Sequence, residues 1–207
     1  VKLYTHPGAS SLSVHILLRE AGLPFDLEVV NVSAKTRSDG SDYRGVAPRG
    51  MVPLLELDDG TSLTENMVIA QYVCDRAGRH DLMPEAGSMA RYRVMEWQSF
   101  VAAELHKGYI PLRWTLPPEA MAFARERLFK RLAIADAALD GRRYLTGDTF
   151  TAADAYLFVI AGWAYYFQFE VAKLPQIERF LAEVSRRPTV QAALAAEGNG
   201  LVVIPQP

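Results

Sequence analysis

The sequence predicts a small α/β unit followed by an all-helical bundle, and three features of its pattern carry that prediction. Residues 1–77 alternate short strand-like runs with helical ones. A connector containing Pro84 and Gly87 spans residues 81–87 and marks the expected boundary between segments 1–80 and 87–207. Beyond it, nearly every stretch repeats its apolar residues at helical spacing. The order βαβ then ββα in the first segment implies a mixed sheet covered by helices.

Each element has its own cue. Lys2-Leu3-Tyr4-Thr5 reads as the first strand, and residues 11–21 as a helix stopped by Gly22 and Pro24. Residues 26–32 read as a second strand, followed by a Ser-, Asp-, Gly- and Arg-rich stretch through Pro48-Arg49-Gly50. Residues 54–57 and 62–63 pair as a hairpin around Asp58-Asp59-Gly60, a strong turn signal. A helix over residues 65–77 completes the unit. In the second segment helices are expected at 89–114, 118–139, 152–167 and 174–186, with a short one after Pro188. Thr151 with Asp154 forms a capping box before the apolar run 155–159, so that stretch serves folding rather than chemistry.

Composition narrows the function. Half of the 207 residues are hydrophobic, enough for a sizeable core. The 22 basic and 24 acidic residues form no basic block, which points away from nucleic acid. Apolar stretches are too short for a membrane span, and residues 1–17 lack a secretory signal pattern. Cys74 is the single cysteine, so it forms no internal disulfide and suits a reducing compartment; a cytoplasmic protein is expected. His6, His15 and His80 have no metal-ligand spacing and no Cys/His cluster exists, so no metal is expected.

Two places can hold a ligand. Val52-Pro53 precedes the apolar strand 54–57 and breaks the sheet where a ligand can use exposed backbone. Twelve residues on, Thr64-Glu65-Asn66 opens a helix, and a helix start holds an anion. Together they suit a small zwitterionic molecule. The loop Thr5-His6-Pro7-Gly8-Ala9-Ser10-Ser11 lies beyond the carboxyl end of a strand, where open α/β sheets bind ligands. Ser10 and Ser11 fall at the cap or first turn of the following helix, either as plain caps or with hydroxyls beside its positive end. At 100° per residue, Trp97, Val101, Leu105 and Gly108 share one side of their helix, and Ser99, Ala103, His106 and Ile110 the other.

The chain resembles the glutathione transferases, most closely the bacterial beta class. The matching stretches are Pro7-Gly8-Ala9 with Ser11-Leu12, His15, Pro48-Arg49-Gly50, Val52-Pro53, Leu63-Thr64-Glu65, Ile69-Ala70-Gln71-Tyr72, Glu96-Trp97, Glu104-Leu105-His106-Lys107-Gly108 and 150–158. They run through nearly the whole chain. The resemblance implies a thioredoxin-like first domain, a helical second domain, a homodimer with contact elements at 62–75 and 88–105, and glutathione as cosubstrate. It implies a cis Pro53 that presents the Val52 backbone to the cysteinyl unit of glutathione. It further implies Glu65 and Asn66 at the γ-glutamyl end, Lys35 at the glycyl carboxylate, and Ala9 and Ser10 near the thiol. Ser99 and Glu104 match positions near the glutamyl end, some of them reaching across the dimer seam. Ser10, Ser11 and His106 are the expected catalytic residues, and Tyr109, Trp114, Trp163, Tyr166 and Phe167 the expected wall of a hydrophobic electrophile site.

The chain also departs from that class. Ser10 stands where the beta class typically has cysteine, so a mixed disulfide with glutathione cannot form there. Thr5 stands where relatives often have tyrosine, Asn66 where they often have Ser or Gly, and Ser99 where they often have asparagine. Serine can still do the remaining work. A free thiol titrates near ~8.5, and lowering it by about two units takes ~2.7 kcal/mol of preference for the anion. A hydroxyl bonded to a charged acceptor is worth ~1.5–3 kcal/mol and a helix start ~0.3–1 kcal/mol. The expected function is therefore conjugation of reduced glutathione to small hydrophobic electrophiles through a stabilised thiolate. A glutathione-dependent lyase, isomerase or dehalogenase, or a non-catalytic glutathione-binding module, is the alternative on the same scaffold.

Overall fold

The computed structural model describes residues 1–198, so the expected segment 87–207 is seen up to residue 198 and its tail lies outside the described residues. Strand β1 (Lys2–Thr5) lies parallel to β2 (Asp26–Val29), with Lys2 opposite Asp26 and Thr5 opposite Val29. Between them runs α1 (Ser11–Ala21), closed by Gly22 in the left-handed region with Leu23 N–H donating back to the Leu18 carbonyl. Strand β3 (Leu54–Glu56) pairs antiparallel with β1, and β4 (Ser62–Thr64) antiparallel with β3. The sheet order is β2-β1-β3-β4, and α2 (Asn66–Arg76) follows the hairpin. Gly60 (φ 83°) makes the hairpin turn that the Asp-Asp-Gly signal announces.

Two expected boundaries shift. The second strand ends at Val29 rather than at residue 32, because the Asn31 carboxamide accepts from Ser33 N–H and Ala34 N–H and folds the chain into a turn. The long helix expected over 89–114 is not uniform. Helix α3 (Met89–Phe100) passes into a π-helical turn, Val101–His106, then one α turn, α4 (Lys107–Tyr109), and a 3-10 turn, Ile110–Arg113. The wider π turn breaks the 100° periodicity on which the expected faces rest. Ala103 and Gly108 accordingly share one groove, with Glu104 and Lys107, while His106 and Ile110 line another.

Four further helices follow among the described residues: α5 (Pro118–Ala138), α6 (Ala152–Tyr166), α7 (Pro175–Ser185) and α8 (Pro188–Ala196). Helix α6 is buried along almost its whole length and packs against α1, so one apolar cluster runs from Leu3 and Ile16 through Val159 and Ile160 to Phe180. Burying a side chain of that size contributes about 1.5–3 kcal/mol, and continuous burial makes the two segments stabilise one another. The capping box of Thr151 and Asp154 is present, with Thr151 N–H donating to the Asp154 carboxylate at 2.8 Å, and Leu145 N–H donates to the same carboxylate at 2.8 Å. Cys74 is buried in the same cluster, and desolvation pushes its thiol up to about 12. Polar links also join the segments. Arg187 and Thr189 donate to the Glu20 carboxylate, and Arg91 donates bidentately to Asp75 at 2.8 Å. Among the described residues no helix is long and apolar enough to cross a membrane.

Candidate active site

The Val52–Pro53 peptide is cis, and neither the N–H nor the C=O of Val52 has a partner among the described residues. Beside it, Lys35 sits at φ 58° and donates from Nζ to the Gly50 carbonyl at 2.7 Å. Gly50 sits at φ 59°, a conformation that side chains rarely adopt, and a Cβ there would stand 2.8 Å from Lys35 Cδ. Across β3 and β4, Glu65 precedes α2 at φ 68°, a conformation that side chains rarely adopt and that needs support from its surroundings. No side chain caps α2, and the Asn66 and Met67 N–H groups have no partner among the described residues. The exposed Glu65 carboxylate pairs with Arg49 at 3.0 Å. Asn66 is turned inward, its amide donating to the Ser10 carbonyl at 2.9 Å and to Ser13 Oγ at 2.7 Å. The Asn66 side chain thus ties the start of α2 to the start of α1.

The loop between β1 and α1 is held from several directions. Gly8 takes a positive φ of 69°; its C=O accepts from the Trp163 indole at 2.9 Å, and its N–H donates to Glu197 Oε2 at 3.3 Å. Ser13 Oγ donates to the Ser10 carbonyl at 2.8 Å. Ser10 occupies the N-cap position without capping: its hydroxyl and its N–H, like the N–H of Ser11, have no partner among the described residues. An uncapped first turn with free N–H groups is a ready anion site.

Ser11 is different. It is fully buried, and its Oγ lies 2.8 Å from Thr5 Oγ1 and accepts from His6 N–H at 3.3 Å. Thr5 Oγ1 also lies 2.9 Å from Glu197 Oε1. The single Thr5 proton goes to the charged acceptor, the stronger bond, and Ser11 then donates to Thr5. Glu197 Oε1 meets His15 Nδ1 at 2.9 Å, and Arg19 Nε donates to His15 Nε2 at 2.9 Å. Both ends of the His15–Glu197 pair are buried, so the desolvation cost is offset only because every carboxylate oxygen is bonded.

His106 Nδ1 lies 2.8 Å from the hydroxyl of Tyr156, a residue of α6. Burial and then the neighbouring Lys107 push the His106 imidazole down to about 4, so it is neutral at physiological pH. Burial raises the Tyr156 hydroxyl above its ordinary range. The arrangement that leaves no buried donor unpaired has Tyr156 donating to Nδ1, which puts the His106 ring proton on Nε2. The ring packs edge-on against Trp163, centroids 5.1 Å apart, and Trp163 is the residue that holds Gly8. His106, Tyr109, Trp163, Tyr166 and Phe167 line a cleft of about 90 Å³, with Ile110 and Arg113. Trp114, the fifth expected aromatic, is 58% exposed and outside that lining.

Ser99 is exposed on α3. Glu104 pairs with Arg131 at 2.9 Å and lines a second groove, about 400 Å³, walled by residues 103–128 and sharing no residue with the aromatic cleft. Among the described residues no cluster of His, Cys, Asp or Glu can hold a metal ion. The sequence reading missed Gly8, Glu197, Tyr156 and Arg113. His106, Ile110 and Arg113 follow one another at helical spacing, a signal that was available; nothing local marks Glu197, whose partner Thr5 is 192 positions away.

Two family models match the chain: "Glutathione S-transferase, N-terminal domain" over residues 9–76 and "Glutathione S-transferase, C-terminal domain" over residues 100–188. The chain is 43% identical over 199 residues to glutathione S-transferase GstA of Escherichia coli O157:H7, covering 96% of this chain and 99% of that one. A sphingomonad glutathione S-transferase solved in complex with glutathione superposes with a TM-score of 0.90 at 40% identity, covering 96% of this chain and 99% of that one. The bacterial beta-class glutathione S-transferase of Sphingomonas chungbukensis gives 0.91 at 36% identity, covering 96% and 100%. With its mixed four-stranded sheet and helical second part, the chain belongs to the glutathione S-transferases and is close to the bacterial beta-class enzymes.

Proposed function

We propose that this enzyme conjugates reduced glutathione to small hydrophobic electrophiles. One observation carries the proposal: an unpaired Val52 backbone beside a cis proline stands with two helix starts whose first N–H groups are free. Glutathione then lies with its cysteinyl unit on Val52, its γ-glutamyl end at Glu65 and the first turn of α2, and its glycyl carboxylate toward Lys35. Its sulfur meets the Ser10 hydroxyl and the free amides of α1. Ala9 and Ser10 shape that corner, Ser11 contributes its amide, and neutral His106 offers a donor from the cleft side. Ser99 and Glu104 serve the glutamyl end, with reach across the dimer seam.

In the reaction the thiol proton leaves to solvent and the thiolate attacks the electrophilic carbon. With an aryl chloride, the C–S bond forms and the C–Cl bond breaks, chloride departing with the electron pair. Holding sulfur and electrophile together supplies proximity, and the serine corner supplies the thiolate. No mixed disulfide forms at position 10, and Cys74 is no substitute because it is buried with its thiol pushed up to about 12. That state of Cys74 also suits a reducing, cytoplasmic setting. The exposed Val68, Met89 and Tyr92 fall within the elements expected to form a homodimer, which light scattering tests as a mass twice 23.0 kDa.

The decisive experiment combines retention on immobilised glutathione with turnover of 1-chloro-2,4-dinitrobenzene. Retention with turnover is expected. Retention without turnover leaves a binding module, and loss of both removes the ligand itself.

A further inference from the structure

The aromatic cleft carries a charge that a purely hydrophobic site has no use for. Arg113 closes the 3-10 turn Ile110–Arg113 and lines the cleft with His106, Tyr109, Trp163, Tyr166 and Phe167. Most arginines of this chain are held by a carboxylate or carbonyl: Arg91 by Asp75, Arg187 by Glu20, and Arg125 by the Phe167 and Gln168 carbonyls. Arg113 has no such partner among the described residues, and its side chain is exposed at the rim. Among the described residues no carboxylate lines the cleft, and His106, the other ionisable base there, is uncharged at neutral pH. Among the described residues the cleft therefore holds one uncompensated positive charge above aromatic walls.

We propose that Arg113 makes this site selective for electrophiles that carry an anionic group on an aromatic or conjugated frame, with a carboxylate as the representative case. The inference rests on the conjugation reading above. Arg113 stands seven positions after His106, a rise of roughly 10 Å along a helical path. His106 and Trp163 mark the sulfur end, because Trp163 is bonded to Gly8 of the serine loop. Arg113 marks the far end. A flat ring lying between them places its reactive carbon toward the sulfur and a substituent opposite to it toward the guanidinium. The guanidinium suits that task better than an ammonium, because its planar fork binds a carboxylate bidentately and stacks on aromatic faces. Trp163, Tyr166 and Phe167 supply the apolar walls.

The test compares 4-chloro-3-nitrobenzoate with neutral 1-chloro-2,4-dinitrobenzene in the full-length wild type, Arg113→Met and Arg113→Lys. Both reactions form a C–S bond and release chloride. The ratio of kcat/KM values, carboxylate over neutral, is expected to fall at least tenfold in Arg113→Met, chiefly through KM, with Arg113→Lys in between. Added salt should lower the wild-type ratio and leave that of Arg113→Met unmoved. A ratio unchanged within twofold overturns the proposal, even if both activities change in parallel. If no variant turns over either substrate, the transferase reading falls. Arg113 is then judged by calorimetric affinity for the two S-aryl glutathione conjugates, where equal affinities for the charged and neutral conjugates in the wild type overturn its role.

Discussion

Ser10 and Ser11 are the same residue type side by side, yet they belong to two different regions of the molecule. Ser11 faces down into a sealed polar network with Thr5, His15, Arg19 and Glu197, in which each hydroxyl and carboxylate oxygen has a partner. Ser10 is also buried, at 5% exposure, but its hydroxyl and its amide have no partner among the described residues. The contrast teaches that a site is built from underneath. Satisfied groups below the loop fix its backbone, and fixed backbone lets the groups above stay unsatisfied until a ligand arrives. Gly8 is the hinge between the regions, gripped at its N–H by Glu197 and at its C=O by Trp163.

The largest effect should come from emptying the underside. Glu197→Ala strips a buried partner from His15, Thr5 and the Gly8 amide at once, and should cost about 3–5 kcal/mol of stability in urea unfolding. A loss below about 1 kcal/mol would mean that the network does not hold the loop.

On the cleft side, His106 gives a pH signature. Its folded value of about 4 lies below the 6.5 of a free imidazole, so between those values the unfolded chain binds a proton that the folded chain refuses. Stability from this group is therefore complete above about pH 6.5 and declines by about 3 kcal/mol as pH falls toward 4. Asp154 works in the opposite direction. Burial raises its carboxyl to about 6, so the folded state gains relative to the unfolded as pH falls through the same window, and the wild-type curve is partly levelled. Subtracting the unfolding free energy of His106→Phe from that of the wild type removes the Asp154 contribution. A difference curve that stays flat from pH 7 to 4 would show that the imidazole is not buried in its neutral form.

The smallest effects separate the two serines. Ser11→Ala should cost about 1–3 kcal/mol of stability by leaving Thr5 and His6 short of a partner, with little change in the pKa of bound glutathione. Ser10→Ala should leave stability within about 0.5 kcal/mol while lowering kcat/KM near neutral pH about tenfold or more, since it removes a hydroxyl from a charged acceptor. Ultraviolet titration of bound glutathione checks both variants, and the reverse assignment of effects would invert the comparison.

Much of the fold was legible because its cues are local. Gly22 ends α1, Asp58-Asp59-Gly60 turns the hairpin, and Thr151 with Asp154 starts α6; each acts within a few residues of itself. The π turn at Val101–His106 was not legible, because periodicity assumes a uniform helix and redistributes faces wrongly once the turn widens. Four of the five aromatics expected around the cleft do line it, while Trp114, on the same chain trace, turns outward.

The amino-acid sequence by itself determined which residues stand at the ligand loops, that residue 10 bears a hydroxyl rather than a thiol, and that the chain divides into a sheet-bearing and a helical part. Those are matters of residue identity and short-range spacing. The fold settled which serine is bonded and which is left without a partner, which groups line one cleft with His106, and that a glutamate far along the chain braces the loop. Such outcomes depend on burial and on partners distant in sequence, and a hydroxyl acquires its role from the groups folding brings within hydrogen-bond reach.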